Sequence, residues 1–224
     1  MSTKYAPFIK SLRTKRGISQ SDLAKKLDIS RSSYIAVEQG GRELTLGEFE
    51  KLSEVLGVSL EDMERGELPN YEKYKQMILA FLRLNKNLTK TKLAKLLYLS
   101  DFSYYYSHLK SMSGMQYRKI QYGPVADTYF RLIDEMTTNG EISIEQTESG
   151  AMRITESRGG AKIPLSEIAA DEMRLIQKID HKWKGKNTAE IVKFSHQQMP
   201  FMFAEANDIV SYDIFTQENP DEIY

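Results

Sequence analysis

The sequence predicts a mainly α-helical protein built from two modules, and three observations carry that reading. Apolar residues recur at helical spacing along most of the 224 residues, and several of these runs open on a Ser, Thr or Asn placed to cap a helix. One pair of segments alternates apolar and polar residues and reads as a small β-hairpin. The breaker Leu68-Pro69-Asn70 separates two stretches that each bring their own apolar periodicity, which divides the chain into residues 1–68 and 70–224.

The first module reads as five short helices. Phe8, Ile9 and Leu12 share a face, and Gly17 interrupts the run. Ser19 opens a second helix with Asp22 at the third position of a capping box, and Leu23, Ala24 and Leu27 form its buried stripe. Asp28 and Ile29 make a tight turn, Ser30 caps a third helix that turns Tyr34 and Val37 inward, and Gly40-Gly41 ends it. A fourth helix starts at the capping box Thr45-Leu46-Gly47-Glu48 and is expected to bury Leu46, Phe49, Leu52 and Leu56. A fifth follows Ser59 with Leu60 and Met63.

This order resembles the Xre-type helix-turn-helix family over about residues 5 to 66. Small Ala24 allows helices two and three to cross closely, Ile29 plugs the turn, and Glu38-x-Gly40 ends the third helix where the family places it. Asp28 stands where the family usually has a left-handed glycine, a conformation Asp tolerates better than most residues. The resemblance implies that Arg13 pairs with Glu38 for structure and that the third helix enters a DNA major groove. Spacing leaves Arg31, Ser32, Ile35 and Ala36 on its outer face. Arg31 is the expected base reader, because its fork spans guanine O6 and N7; Ser32 can take either role, and Ile35 or Ala36 can meet a thymine methyl. Gln20 and Gln39 match the family's phosphate-contacting positions, and Arg42 is a third such contact. The alternative for this module is an interaction scaffold with a solvated basic face.

In the second module, Asn70 caps a helix burying Tyr74, Met77, Ile78, Phe81 and Leu82, and a long helix begins near Thr89 with Leu93, Leu96 and Leu97. LAKLLYLSDFSYYYSH at 93–108 aligns without a gap on LAKKLDISRSSYIAVE at 23–38. A second DNA-reading unit is not expected, since Arg31 becomes Asp101, Lys26 becomes Leu96 and the turn residue Asp28 becomes Tyr98. Tyr122-Gly123-Pro124 reads as a turn with proline at the first position of a helix through Tyr129, Phe130 and Ile133. EISIEQT at 141–147 and AMRITE at 151–156 form the hairpin around Glu148-Ser149-Gly150. A helix over about 165–183, a short one over about 188–197, the segment MPFMF and a tail from Glu205 with six acidic residues and no basic one complete the chain.

The succession KLAKLLYLSDF, QYGPVADTYFRLID, hairpin, KFSHQQMPFMFAEANDIVSYD resembles the Panacea, or SocA-like antitoxin, domain over roughly residues 73 to 213. LLYLSD and YGP are its best markers, with Ser195-His196 and Pro200-Phe201, where relatives often carry Pro-Trp. The expected fold class is therefore mainly α: a five-helix Xre-type domain plus a mostly helical Panacea domain with a small β-hairpin. In that family the domain neutralises a protein toxin while an attached helix-turn-helix represses the operon. Tyr98, Asp101, Tyr105 and Tyr122 are the candidate toxin contacts; for Asp101 the inward alternative is to satisfy buried backbone or tyrosine groups.

Charge bears on both halves. The chain carries 31 basic and 31 acidic residues, but residues 1–42 hold nine Lys/Arg against three Asp/Glu and residues 43–70 hold two against eight. The distribution, not the zero total, is what a phosphate backbone meets. With no cysteine, disulfides and cysteine-ligated zinc are excluded. The three histidines are scattered, and no nucleophile–base pair, phosphate-binding glycine loop or metal set is legible. No apolar run reaches a membrane span and the N-terminus lacks a signal stretch, so a cytoplasmic protein without metal or cofactor is expected. The functional expectation is an antitoxin that represses its own operon as a homodimer on an inverted repeat and neutralises a protein toxin encoded next door. Alternatives are a stand-alone repressor with a ligand-sensing second domain, or a protease adaptor.

Overall fold

The computed structural model describes residues 2–56, 69–148 and 150–224. The chain folds as two compact units, Met1–Pro69 and Asn70–Tyr224. The fifth helix expected after Ser59, with Leu60 and Met63, lies outside the described residues, as do Leu68 of the breaker and Ser149 of the hairpin turn. The mainly helical fold class is borne out. No described helix is long and apolar enough to cross a membrane.

The first unit comprises α1 (Ser2–Lys15), α2 (Gln20–Lys26), α3 (Arg31–Glu38) and α4 (Leu46–Leu56). Their starts are set by local chemistry: Ser19 Oγ accepts from Asp22 N at 3.1 Å, Ser30 Oγ from Ser33 N at 3.0 Å, and Thr45 and Glu48 close a reciprocal box. Ile9, Leu12, Leu23, Leu27, Tyr34, Val37, Leu52 and Leu56 make the core. Leu46 is a correction. It is 76% exposed, because it precedes Leu52 by six residues and so lies about 120° round the helix from the buried stripe.

The second unit is organised around one buried helix. Its elements are α5 (Tyr71–Leu84), β1 (Leu88–Thr89), α6 (Lys90–His108), β2 (Tyr117–Ile120), β3 (Gly123–Ala126), α7 (Tyr129–Thr138), β4 (Ile142–Gln146), β5 (Met152–Glu156), α8 (Ala170–Trp183), α9 (Thr188–Gln197), α10 (Met199–Phe203) and α11 (Tyr212–Phe215). Every residue of α6 from Lys92 to Ser103 is buried, with α5, α8, α9, α11 and β3 packed around it. An uninterrupted α6 agrees with the expectation that 93–108 is a single helix.

Three features differ from the sequence reading. Pro124 lies in strand β3 of a hairpin with β2, not at the start of a helix, and α7 begins only at Tyr129. Proline is tolerated there because it faces Lys119, whose backbone N–H and C=O turn away to Asp208 and Asn207, so the pair needs no N–H from residue 124. The expected hairpin β4–β5 gains a third strand, in the order β1-β5-β4, with Leu88 opposite Ile154. Helix α8 starts at Ala170 rather than near 165. Residues 165–168 form a turn instead, and side chains fix it: Gln76 accepts from Glu167 N at 2.8 Å, and Glu172 accepts from Ala169 N at 2.7 Å while pairing with Lys73 at 2.8 Å.

The acidic tail is part of the core. Val210, Tyr212 and Phe215 are buried, and Tyr212 stacks on Phe102 with ring centroids 4.1 Å apart. Full burial of an aromatic of this size contributes up to about 3 kcal/mol, so the tail is a structural strap.

Candidate nucleic-acid interface and partner-binding domain

In the first unit, α2 and α3 are joined by the turn Leu27–Ser30. Asp28 takes the left-handed conformation there, with φ 57°, and Ile29 N donates to Ala24 O at 3.0 Å. The inner face of α3 is locked by one carboxylate. Glu38 accepts from Arg13 Nε at 2.6 Å, Arg13 Nη2 at 3.3 Å, Gln20 Nε2 at 2.8 Å and Tyr34 OH at 2.8 Å. Burial opposes the charge on Glu38, but the bonds from Arg13, Gln20 and Tyr34 outweigh it and hold the group below the usual carboxylate range. The Arg13–Glu38 pair agrees with the expectation.

The outer face is left open. Arg31, Ser32 and Gln39 are exposed, and Ile35 and Ala36 are half-buried. Among the described residues no side chain pairs with Arg31. Ser32 shares a hydrogen bond of 2.8 Å with the cap residue Ser30. Arg42 donates to Glu48 at 2.7 Å, beside this face in sequence but engaged. Gln20 gives one amide N–H to Glu38 and keeps the second.

In the second unit, the family markers are mostly core. The LLYLSD stretch, Leu96 to Asp101, is wholly buried in α6. Asp101 accepts from Ser113 N at 2.7 Å, Ser113 Oγ at 2.5 Å and Tyr117 OH at 2.7 Å, which pins residues 113–117 to the helix. Burial, then the Asp101 charge, holds the Tyr117 phenol well above its ordinary pKa, so it remains a donor. The inward alternative for Asp101 is therefore the one observed. Tyr98 and Asp101 are both fully buried, which corrects them as direct toxin contacts. Tyr105 donates to Asp213 at 2.5 Å. Of the four candidates, only Tyr122 is widely exposed, at 60%.

The YGP marker packs against a lysine that sequence reasoning missed. Lys95 is fully buried and donates to Pro124 O at 2.7 Å. Gly123 has φ 93°, and a Cβ there would meet Lys95 Cε at 2.8 Å and Ser195 Oγ at 2.9 Å, so only glycine lets the backbone approach this closely. Desolvation lowers the Lys95 pKa to about 7. His196 stacks on Phe201 at 4.3 Å; burial first, then Lys95 and Lys119, lower its pKa. A lysine mid-helix among leucines carries no sequence signal of burial, since its spacing from Tyr122-Gly123-Pro124 emerges only with β3.

A cleft of about 450 Å³ opens beside Lys95, rimmed by Lys90, Tyr122, Phe130 and Met152. Among the described residues no group of His, Cys, Asp and Glu side chains could hold a metal ion.

Comparisons with known proteins bear on both units. Residues 9–63 match the helix-turn-helix family model, and residues 93–201 match the model of the antitoxin SocA-like, Panacea domain. Over 55 residues the chain is 38% identical to an uncharacterised HTH-type transcriptional regulator of Methanocaldococcus jannaschii, a match covering 25% of this chain and 83% of that protein. No solved structure matches the chain. Neither matched family is one of enzymes. The chain thus carries, in this order, a DNA-binding domain of the Xre-type helix-turn-helix family and an antitoxin-like domain of the SocA-like Panacea family.

Proposed function

We propose that the protein is the antitoxin of a toxin–antitoxin pair and a repressor of its own operon. Residues 1–68 bind operator DNA as a homodimer on an inverted repeat, and residues 70–224 hold a protein toxin inactive by direct contact. What carries the DNA half is the division of α3 into an inner face fixed by Glu38 and an outer face where Arg31, Ser32 and Gln39 are exposed. On that face Arg31 reads a guanine, Ser32 contacts a base or phosphate, and Ile35 or Ala36 meets a thymine methyl. Gln20, through its second amide N–H, and Gln39 bind phosphates; Arg42 joins them by reorienting from Glu48. What supports the second half is the match to an antitoxin-like domain over residues 93–201.

The test is paired. Co-expression with the product of the neighbouring reading frame is expected to rescue growth, and a footprint on the upstream DNA is expected to show two half-sites about one helical turn apart. Failure of rescue against a demonstrably toxic neighbour overturns the antitoxin half; protection of one half-site by a monomer overturns the DNA half.

A second reading is favoured by the cleft, whose volume of about 450 Å³ falls within the range of small-molecule pockets. In it the second unit senses a ligand and the protein is a stand-alone repressor. Operator release by a small molecule, with no toxic neighbour, is the outcome that selects it.

A further inference from the structure

The cleft beside Lys95 concentrates features that occur separately elsewhere. Three of the exposed large apolar side chains, Tyr122 at 60%, Phe130 at 49% and Met152 at 42%, stand on its rim. Two lysines line it, Lys90 and Lys95, and among the described lining residues there is no aspartate or glutamate. Lys90 already lies over the Phe130 ring, with Nζ 5.2 Å from the centroid.

Lys95 is the less usual of the two. Its neighbour in α6, Lys92, is also buried, and its ammonium donates to two carbonyls, Trp183 O and Lys186 O, at 2.8 and 2.5 Å. Lys95 Nζ donates to Pro124 O alone among the described residues, although an ammonium carries three donors. Burying a charge with most of its hydrogen-bonding capacity unfilled costs free energy, which the one bond to Pro124 O offsets only in part. The turn glycine of the YGP stretch nevertheless brings the backbone against this amine. A buried cation next to an apolar cleft free of carboxylates is complementary to an anion that arrives attached to an apolar group.

Resting on the reading that the second unit binds a protein, we propose that this cleft seats a segment of the partner that presents an aromatic or large aliphatic side chain beside a carboxylate. The carboxylate bonds Lys90 at the rim, with the buried Lys95 ammonium beneath the cleft adding its charge, and the apolar side chain packs on Phe130, Tyr122 and Met152. Such an anchor combines a desolvated charge pair with a filled apolar pocket, the pattern that dominates binding energy in protein interfaces.

The smallest molecule with this pair of groups is N-acetylphenylalanine, and N-acetylphenylalaninamide lacks only the carboxylate. Methyl NMR of the full chain titrated with each at millimolar concentration reads the cleft directly through Met152 and Ile120. The acid is expected to shift both signals and to bind about tenfold more tightly than the amide, the equivalent of one charge-assisted hydrogen bond. Lys90→Gln, at the partly exposed rim, is expected to remove most of that difference. Lys95→Met is expected to reduce it, and Lys90→Gln serves should Lys95→Met disturb the fold. Equal binding of acid and amide, or no shift of Met152 with either, overturns the proposal.

Growth rescue separates this proposal from the reading beneath it. If the wild-type chain neutralises the neighbouring toxin and the Lys95→Met, Lys90→Gln double variant does so equally well, the partner sits elsewhere and only the cleft assignment fails. If the wild-type chain neutralises nothing, the antitoxin reading fails and the NMR titration alone decides what the cleft binds. Release of operator DNA by saturating N-acetylphenylalanine would instead assign the cleft to a small-molecule effector.

Discussion

Arg13 holds Glu38 through both ends of its guanidinium edge, Nε to Oε1 at 2.6 Å and Nη2 to Oε2 at 3.3 Å, across 25 residues of sequence. The pair joins α1 to the end of α3 behind the face that carries Arg31, so it fixes the angle at which that face is presented. The Glu38 side chain is 3% exposed and that of Arg13 13%. Removing one partner therefore leaves a buried charge with neutral donors only. Arg13→Ala is expected to destabilise the first unit by about 3 kcal/mol, the lower end for a buried pair because Arg13 keeps some solvent. Amide hydrogen exchange in α2 and α3 of the full chain is the readout; unchanged protection would show that the pair is dispensable.

The same pair sets an acid limit. The folded pKa of Glu38 is depressed, so between that value and the unfolded pKa of about 4.3 the unfolded chain binds more protons. Its contribution is fully present above the unfolded value and is lost as pH falls through the folded one. Protection of α3 amides, taken relative to their intrinsic exchange rates, is expected to fall below about pH 4 in the wild type, and Glu38→Gln is expected to start less stable and to show a smaller change over that range.

For Arg31, the expectation follows from its exposure and from the lack of a side-chain partner among the described residues. Arg31→Ala is expected to leave the fold unaffected, whereas operator binding weakens by about 1–3 kcal/mol per half-site and preference relaxes at one base pair. Binding titrations on the operator and on a scrambled duplex distinguish the roles. An equal loss on both reassigns Arg31 to phosphate.

The parts of this architecture legible in the sequence are those fixed by short-range chemistry. Ser19, Ser30, Thr45 and Asn70 announce helix starts because a capping oxygen bonds an N–H three residues on, and Asp28 announces the turn because few other residues accept its φ of 57°. What was not legible depends on partners distant in sequence. Strand β2, YRKI, has no clear alternation, and Pro124 reads as a helix start until its position opposite Lys119 is known. The tail reads only as acidic because its three anchors, Val210, Tyr212 and Phe215, are scattered among charges. Tyr98 and Lys95 show the same limit from the other side: α6 is enclosed on all faces, so helical periodicity cannot say which polar residue points to solvent, and none between Lys92 and Ser103 does.

Lys95 predicts a stability that rises with pH. Its folded pKa is lowered to about 7 from an unfolded value near 10.4, so in that window the unfolded chain binds more protons than the folded one. The destabilising cost is fully present below pH 7 and diminishes as pH rises toward 10. The charged groups of this region do not reverse the sign: burial, then Lys95 and Lys119, lower the His196 pKa, and Lys119 is another cation. Lys95→Met is therefore expected to stabilise the second unit at pH 6 by about 1–4 kcal/mol, as replacement of buried charges often does. Trp183, the only tryptophan in the chain and part of this unit's core, reports the transition in denaturant. A melt of Lys95→Met weaker than wild type at pH 6 would mean that the ammonium is a structural tie through Pro124.

The last prediction is that the two functions separate at residues 68–70. The two apolar clusters share no residue: one runs from Tyr5 to Leu56, the other from Tyr74 to Phe215 with Tyr224 packed against it. Each described cluster is drawn from its own unit, and Asn70 caps α5 through Lys73 N at 3.0 Å. Charge follows the same division, because the second unit has its own split, with eleven basic against five acidic residues over 71–135 and nine against fifteen over 136–224. That pattern suits a protein surface with two signs better than a phosphate backbone with one. A fragment starting at residue 68 is expected to fold, to lose operator binding and still to rescue growth against the neighbouring toxin. A fragment ending at residue 68 is expected to fold and to bind DNA weakly, without rescue, since it lacks both the cleft and whatever dimer contacts the second unit supplies. If rescue followed the N-terminal fragment, or disappeared with Arg31→Ala in the full chain, neutralisation would have to act through the DNA-binding face or through transcription, and the division of labour at Pro69 would be wrong.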